Sequence, residues 1–332
     1  MEDRSFLLPY YQRWLVKPLL PLLPASLNPN TITHAGHLMN CTAACLVVLL
    51  WPQRGPIPVI AALLLNAYCW CDNADGAHAR RTNQCSPMGE FLDHGLDQLN
   101  TVYMGYLTAY ALGASPIWWV AITLLIPGAA VVTYWEQAAT GVMRLGRMNQ
   151  VESVIVLSSV LVGAAVLGVR FYNDVTILGV PLGLAFLLWS SITIVFGMVR
   201  AAIRVASARG AAALLPIAPL VVFDGIVFGA AALGVVSTVA AVAIATGGTV
   251  YFGMQMLTFR LHGERPRVEK HLLGGAVVGA LLIAWRLLGG PIDPLAGPVL
   301  VTLAIVVYGA LAILAARSNV VRIGRMAAPA GE

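Results

Sequence analysis

Two neighbouring stretches decide the fold: Asp72-Asn73-Ala74-Asp75-Gly76-Ala77-His78-Ala79-Arg80 and, eight residues further on, Gly89-Glu90-Phe91-Leu92-Asp93-His94-Gly95-Leu96-Asp97. Five of the fifteen acidic residues of the chain lie in this window, which is flanked by strongly apolar segments. An ionised carboxylate at the middle of a membrane costs roughly 2.5–3.5 kcal/mol or more. We therefore expect a bound group that neutralises these aspartates, and a divalent cation is the first candidate.

The composition indicates a polytopic membrane protein. The chain has 332 residues, of which 59% are hydrophobic and 11% charged, and its mean hydropathy is +0.80. Soluble domains are about 45–50% apolar and about 25% charged. The apolar segments predict an all-α membrane helix bundle with about ten transmembrane helices. We place these spans at 31–51, 57–74, 88–113, 116–134, 151–169, 176–198, 212–233, 236–258, 272–288 and 295–315.

The basic residues predict the orientation of the chain. Only Arg54, Arg170 and Arg286 fall on one side of the ten-span arrangement, and the other seventeen of the twenty Lys and Arg residues share the side of both termini. Basic loops stay cytoplasmic, so we expect both termini and the aspartate stretch to face the cytoplasm. The net charge of +5 is thus explained without nucleic acid, which we do not expect as a partner.

The spacing of the aspartates predicts one shared site. Asp72 and Asp75 are three residues apart and Asp93 and Asp97 are four apart, so each pair lies on one face of a helix. Because a short connection joins the two helices, we expect them to pack side by side with all four carboxylates at one depth. Like charges this close repel one another unless cations neutralise them.

All-oxygen ligands favour Mg²⁺ or Mn²⁺ over zinc. Two such ions together can clamp a phosphorus centre during a displacement. The alternative is a purely structural cluster in which Arg80, Arg81 and His94 pair with the carboxylates. Helix packing does not require this spacing, so we favour the metal site.

At these positions the chain resembles the CDP-alcohol phosphatidyltransferase family. The pattern Asp72-x-x-Asp75-Gly76-x-x-Ala79-Arg80-(x)8-Gly89-x-x-x-Asp93-x-x-x-Asp97 matches every fixed position of the family motif. Two further stretches are similar to the choline/ethanolamine phosphotransferase branch: the sequence from Ala79 to Gly95, and Trp135-Glu136-(x)3-Thr140-Gly141 with Gly146 and Glu152. The resemblance covers roughly residues 28–155. One departure is Ala77-His78, where the branch commonly has Lys-Gln, and it leaves the headgroup open.

The resemblance implies roles for particular residues. It implies that two Mg²⁺ or Mn²⁺ ions are bound by Asp72, Asp75, Asp93 and Asp97. It implies that the CDP site is lined by Gly76, Arg80 and Gly89, with Asn30 as a further contributor. For the catalytic base the family at large suggests Asp97, whereas the branch suggests His94 supported by Glu152. An imidazole titrates nearer neutral pH than a carboxylate does, which favours His94 where the acceptor is diacylglycerol.

These roles lead to three functional hypotheses. The first is an enzyme of phospholipid synthesis that transfers an alcohol phosphate from CDP-choline or CDP-ethanolamine to diacylglycerol and releases CMP. The second uses the site in the other sense, with CDP-diacylglycerol donating a phosphatidyl group to a small alcohol or alcohol phosphate. The third is a cation carrier. Carriers place polar sites near the midplane of inverted repeats, and this chain shows neither feature, so we disfavour it.

The resemblance and the spans divide the chain into four segments. We predict an interfacial amphipathic segment at 1–27, catalytic helices at 28–198, further transmembrane helices at 199–316 and a cytoplasmic tail at 317–332. Aromatic and basic side chains between 4 and 24 favour a helix lying in the membrane interface, and an unstructured leader is the alternative.

Two expectations concern assembly and location. Gly225-x-x-x-Gly229 and Gly275-x-x-x-Gly279 permit close helix contact, either within the chain or at a homodimer seam among the membrane lipids. The first thirty residues lack an apolar core followed by a small-residue cleavage site, so we expect no secretory signal. We expect a plasma-membrane protein if the source is bacterial, and one of the endoplasmic reticulum or Golgi if it is eukaryotic.

Overall fold

A computed structural model of the chain describes residues 2–50, 55–291 and 296–327. Helices dominate these ranges, and the only strands within them form two pairs of two residues each. In chain order the elements are β1 (Glu2–Asp3), α1 (Leu8–Tyr11), a π-helix (Gln12–Val16), α2 (Lys17–Leu19), a 3₁₀ turn (Leu20–Leu22), α3 (Pro29–Leu50), α4 (Ile57–Thr82), α5 (Pro87–Ala111), α6 (Pro116–Thr140), β2 (Arg144–Leu145), α7 (Gln150–Leu167), α8 (Phe171–Asp174), β3 (Thr176–Ile177), β4 (Val180–Pro181), α9 (Leu182–Arg209), a 3₁₀ turn (Ala211–Leu214), α10 (Ala218–Ala232), α11 (Thr238–His262), α12 (Lys270–Leu287) and α13 (Ala296–Ala327).

The predicted all-α membrane bundle is confirmed. The ten predicted spans correspond to ten long helices, and eight of these are long and apolar enough to cross a membrane. The other two are α10, which has only 15 residues, and α5, which carries the polar residues of the motif. The cytoplasmic placement of the termini and the interfacial position of the first segment stay predictions.

The ends of the predicted segments differ in detail. The first segment consists of short helical turns that prolines interrupt, at Pro9, Pro18 and Pro21. Helix α13 continues to Ala327, so the predicted tail begins inside a helix. Arg54 and the last five residues of the tail lie outside the described residues.

The chain divides into two units, Met1–Ala114 with Arg144–Ser190 and Ser115–Met143 with Ser191–Glu332. In the first unit the core includes Val47, Leu65 and Leu161, all fully buried. In the second unit α6 packs against α11, and their buried residues include Trp135 and Tyr251. Helix α6, which the sequence placed among the catalytic helices, thus belongs to the second unit.

In the first unit, α3 and α7 each pack against both α4 and α5. Helices α4 and α5 meet through side chains, as predicted: the hydroxyl of Tyr68 on α4 donates to Oδ1 of Asp97 on α5 at 3.4 Å, and carboxylates of both helices form one cluster. Their backbones approach less closely than those of either helix with α3 or α7. The flanking helices α3 and α7 thus hold α4 and α5 in place.

Close packing of α3 on α4 depends on Gly36. A β-carbon at this position would lie 2.8 Å from Cβ of Cys71 on α4, which is closer than van der Waals contact allows. Glycine therefore permits a separation of the two helices that no other residue would permit without a shift.

Local signals fix the turn between α4 and α5. Helix α4 ends at Asn83, which has φ +56° and donates its backbone N–H to the carbonyl of Ala79. Helix α5 begins after Ser86, whose Oγ accepts a 3.0 Å hydrogen bond from the N–H of Gly89. Asparagine tolerates the left-handed conformation and serine is a preferred N-cap, so the sequence specifies this four-residue link, 83–86.

The small-residue motifs in the second unit make contacts within the chain. A β-carbon at Gly279 would lie 2.5 Å from Cγ2 of Ile226, and one at Gly275 would clash with the hydroxyl of Tyr308. For Gly275-x-x-x-Gly279 the structure thus supports intramolecular packing. At Gly225 no described atom lies within 4 Å of an added β-carbon, so the role of Gly225-x-x-x-Gly229 stays open.

Candidate active site

The core of the site is a cluster of three carboxylates between α4 and α5. Asp72, Asp93 and Asp97 each offer one carboxylate oxygen, and these oxygens lie within 4.8 Å of one another. Carboxylate oxygens are the donors that Mg²⁺ and Mn²⁺ prefer. The donor set therefore fits a divalent cation that prefers oxygen, and the structure brings together three of the four predicted ligands.

The fourth predicted ligand, Asp75, lies beside the cluster and is fixed by α3 and by its own helix. Its Oδ2 accepts a 2.5 Å hydrogen bond from the hydroxyl of Thr33, and its Oδ1 accepts one from the backbone N–H of Gly76. Only 5% of Asp75 is exposed. Asp75 is therefore oriented before any ligand binds.

A set of polar side chains orients Asp97 from behind. Its Oδ1 accepts hydrogen bonds from the hydroxyl of Tyr68 at 3.4 Å and from the amide of Asn100 at 3.3 Å. The amide of Gln150, at the start of α7, donates in turn to the hydroxyl of Tyr68 at 3.0 Å. Helices α4, α5 and α7 thereby hold one carboxylate jointly, which fixes its direction toward the cluster.

The residues that the resemblance assigns to the CDP site form two pairs: Gly76 with Arg80, and Gly89 with Asn30. A β-carbon at Gly76 would lie 3.3 Å from Nη1 of Arg80, so the guanidinium folds back over the glycine one turn earlier on α4. A β-carbon at Gly89 would lie 3.4 Å from Oδ1 of Asn30, which places the start of α3 against the start of α5. Both glycines leave open space beside a polar group, as a close-fitting ligand requires.

His94 follows the third aspartate and lies at the edge of the cluster. Its Nδ1 is 3.8 Å from Oδ2 of Asp93, and 20% of its side chain is exposed. A neutral imidazole nitrogen can accept a proton from a group that reaches the cluster.

Glu152 holds the N-terminal segment. Its Oε1 accepts hydrogen bonds from the hydroxyl of Ser5 at 2.7 Å and from the N–H of Leu7 at 2.8 Å, while Oε2 accepts from the N–H of Asn149 at 3.1 Å. With Asn149 it forms the capping box of α7. These contacts indicate a structural role, and its support of His94 stays a prediction.

Further contacts fasten the same segment. Strand β1 pairs with β2, and farther along the indole N–H of Trp70 donates to the carbonyl of Leu15 at 3.2 Å. Burial, and then the nearby Cys69, raise the pKa of the Tyr11 hydroxyl above its usual value, so Tyr11 stays neutral at physiological pH. The segment that the sequence assigned to the membrane interface thus also contacts the helices that carry the site.

Sequence reasoning missed the hydrogen bonds that Thr33, Tyr68, Asn100 and Gln150 make around the aspartates. Thr33 lies within the weakly informative start of the first span, and the other three are ordinary polar residues of apolar helices. An available signal was their position: Asn100 lies three residues after Asp97, and Tyr68 four residues before Asp72, so each faces the aspartates.

The Trp135-Glu136 pair, which contributed to the resemblance, lies in the second unit. Glu136 is 1% exposed and binds Arg204 of α9 through two hydrogen bonds of 2.6 Å each. The guanidinium neutralises a carboxylate that would otherwise be costly to bury in an apolar core.

Comparisons with known proteins agree with this geometry. The family described as CDP-alcohol phosphatidyltransferase matches residues 26–195, a range that contains every predicted site residue. Cholinephosphotransferase 1 of Gallus gallus is 33% identical over 180 residues, which are 51% of this chain and 52% of that protein. The protein of the same name in Rattus norvegicus is 35% identical over 146 residues, which are 42% and 37% of the two chains.

A third relative lies outside the animals. A Dictyostelium discoideum protein described as an uncharacterized CDP-alcohol phosphatidyltransferase class-I family protein is 30% identical over 164 residues, which are 46% of this chain and 41% of that protein. The chain spans about half the length, or less, of these curated relatives.

Proposed function

The chain belongs to the CDP-alcohol phosphatidyltransferase family, and from that premise we propose that it transfers the alcohol phosphate of a CDP-alcohol to diacylglycerol and releases CMP. The observation that carries this proposal is the convergence of Asp72, Asp93 and Asp97 in a chain whose motif keeps every fixed position. The names of the animal relatives support a CDP-choline or CDP-ethanolamine type of donor. The Ala77-His78 departure makes the headgroup a matter for experiment.

The metal-binding role falls to the aspartates. We propose that Asp72, Asp93 and Asp97 hold Mg²⁺ or Mn²⁺, with Asp75 completing a set that serves two ions. When bound, such a cation neutralises charge on the pyrophosphate and polarises its phosphorus. The hydrogen bonds to Asp75 and Asp97 support this role, because ligands that are oriented in advance bind metal more tightly.

The residues beside the carboxylate cluster would bind the phosphates of the donor. Arg80 is suited to donate paired hydrogen bonds to phosphate oxygens. Because Gly76 has no side chain, it leaves the guanidinium of Arg80 free to approach them. Gly89 and Asn30 provide space and an amide near the start of α5. Together these residues would orient the pyrophosphate against the carboxylate cluster.

The transfer also needs a base. The hydroxyl oxygen of diacylglycerol forms a bond to the phosphorus that carries the alcohol, and the bond from that phosphorus to the bridging oxygen breaks. CMP leaves with the bridging oxygen, and the proton of the hydroxyl passes to the base. We propose His94, because its imidazole lies at the edge of the cluster, with Nδ1 3.8 Å from Oδ2 of Asp93. Asp97 is the second candidate, although its contacts with Tyr68 and Asn100 suit a ligand better.

The same site could use CDP-diacylglycerol as donor, with a small alcohol or alcohol phosphate as acceptor. A phosphorylated acceptor would require extra basic residues at the pocket, and Arg144, Arg147 or Arg200 could supply them. Of these, Arg144 already pairs with Glu2, its Nε lying 3.3 Å from Oε2. The similarity of the sequence around His94 and Glu152 to the choline/ethanolamine branch favours diacylglycerol as the acceptor.

The location follows from the same proposal. We place the chain in the plasma membrane of a bacterium, or in the endoplasmic reticulum or Golgi of a eukaryote, with its site toward the cytoplasm. The distribution of basic residues supports that orientation. Accessibility of a cysteine at position 85, in the turn after α4, to a membrane-impermeant thiol reagent tests it.

One experiment separates the two donor classes. The purified full-length protein, with Mg²⁺ or Mn²⁺, is given radiolabelled CDP-choline or CDP-ethanolamine with diacylglycerol, and separately CDP-diacylglycerol with a panel of alcohols. We expect CMP and a labelled phospholipid from the first set. CMP from the second set alone would reverse the choice of donor, and CMP from neither set would contradict the proposed activity.

A further inference from the structure

A cavity of about 430 Å³ lies in the second unit, where the end of α11 meets the last turns of α13. It is lined by His262, Leu314, Arg317, Ser318, Val321 and Arg322. The five residues from α13 follow the spacing i, i+3, i+4, i+7 and i+8, so they form one face of that helix.

The cavity carries positive charge that its surroundings only partly compensate. Arg322 donates to the carbonyl of His262 at 3.3 Å, and its Nη1 is 3.8 Å from Oε1 of Glu264. Glu264 also pairs with Arg267 at 3.3 Å, so one carboxylate serves two guanidinium groups. Among the residues that the structure describes, Arg317 has no ionic partner. The cavity thus presents one fixed and one uncompensated guanidinium.

The apolar side of the cavity continues along α13. Leu314 is 58% exposed and Val321 is 46% exposed, although both are aliphatic. Leu303 and Val307, which precede Leu314 on the same face, are 55% and 48% exposed. A row of exposed aliphatic side chains on a membrane helix faces acyl chains, and the arginines lie at its end.

We propose that this cavity binds the phosphate of an anionic membrane phospholipid, with Arg317 and Arg322 as its cationic contacts. His262 and Ser318 offer hydrogen-bonding groups beside the guanidinium pair, and both arginines can donate two parallel hydrogen bonds to phosphate. The aliphatic row accommodates the acyl chains, which distinguishes a lipid from free phosphate. The bound lipid would connect the end of α11 to α13.

Native mass spectrometry of the full-length protein in detergent tests the proposal. The protein is titrated with phosphatidylglycerol or with phosphatidylcholine, and a third titration adds inorganic phosphate as a competitor. We expect phosphatidylglycerol to bind more tightly than phosphatidylcholine, and phosphate at the same concentration not to displace it. Arg317→Gln and Arg322→Gln should each weaken phosphatidylglycerol binding by roughly fivefold, as expected for one arginine near a charged headgroup.

Two further variants keep the test decisive. Arg265→Gln removes the same charge from an exposed position outside the cavity and should leave binding unchanged. Ser318→Trp fills the cavity without changing the charge and should abolish binding, which covers the case in which an arginine variant fails to fold. Equal loss in Arg265→Gln and Arg317→Gln would overturn the proposal. So would equal affinity for the two lipids, displacement by phosphate, or unchanged binding in Ser318→Trp.

Discussion

The hydroxyl of Thr33 donates a 2.5 Å hydrogen bond to Oδ2 of Asp75, and so connects the start of α3 to the motif on α4. Thr33→Val keeps the shape of the side chain but removes the donor. We expect the metal concentration for half-maximal CMP release to rise about tenfold to a hundredfold, because such supporting hydrogen bonds have effects of this size. Titration of activity with Mn²⁺ measures it.

Thr33→Ser is the matched control, since it retains the hydroxyl and should keep the metal requirement near that of the unmodified protein. If Thr33→Val titrates like Thr33→Ser, the hydrogen bond to Asp75 has no part in metal binding.

Asp93→Asn removes one charge from the carboxylate cluster while keeping its size. Because a neutral amide is a poor ligand for Mg²⁺ or Mn²⁺, we expect CMP release to fall by about a hundredfold or more. Asp174→Asn, at an exposed position on α8, is the control and should retain full activity. Undiminished CMP release by Asp93→Asn would contradict the proposed site.

His94→Ala tests the base. If His94 accepts the proton of the acceptor, turnover should fall by about a hundredfold to ten-thousandfold while the affinity for the CDP-alcohol stays the same. Single-turnover kinetics and equilibrium binding of the labelled donor separate the two quantities. Near-normal turnover with intact donor binding would exclude His94 and leave Asp97 as the candidate.

Glu152 can be assigned to the scaffold or to the chemistry by comparing it with Ser5. Glu152→Gln and Ser5→Ala each weaken the contact that holds the N-terminal segment, and hydrogen bonds to charged groups contribute about 1.5–3 kcal/mol. We expect faster proteolysis within the first segment in both variants, with cleavage read by mass spectrometry. Loss of activity in Glu152→Gln without faster cleavage would instead assign Glu152 to the reaction.

Gly36→Ala tests the close approach of α3 and α4. The added β-carbon would lie 2.8 Å from Cβ of Cys71, and such overpacking typically destabilises by about 1–3 kcal/mol. Gly197→Ala on α9 is the control, because no atom lies within 4 Å of its added carbon and alanine favours helix. Thermal unfolding in detergent should show a lower midpoint for Gly36→Ala only; equal midpoints would contradict the packing.

Much of this site could be predicted because the residues that form it lie close together in the sequence. The spacing of Asp72 and Asp75 on one helix, and of Asp93 and Asp97 on the next, follows from helical periodicity alone. The lengths of apolar segments likewise indicated the ten helices. By contrast, the bond from Thr33 to Asp75 joins positions 42 residues apart, and that from Ser5 to Glu152 positions 147 apart.

Such distant contacts depend on how helices pack. The sequence predicted that α4 and α5 would lie together because a short turn joins them, and their side chains do meet at the carboxylate cluster. It did not predict that α3 and α7 would each pack against both helices. A single polar residue such as Gln150, which is distant from the motif along the chain, gave no signal until its neighbours were known.

The turn from Asn83 to Ser86 sets where α5 begins relative to the end of α4. It is closed at both ends by its own hydrogen bonds, and α5 starts directly after it. One inserted residue would rotate everything downstream by about 100°, since an α-helix completes a turn in 3.6 residues. Asp93 and Asp97 would then no longer point toward Asp72. The eight-residue interval therefore fixes the rotation of α5 about its axis relative to α4.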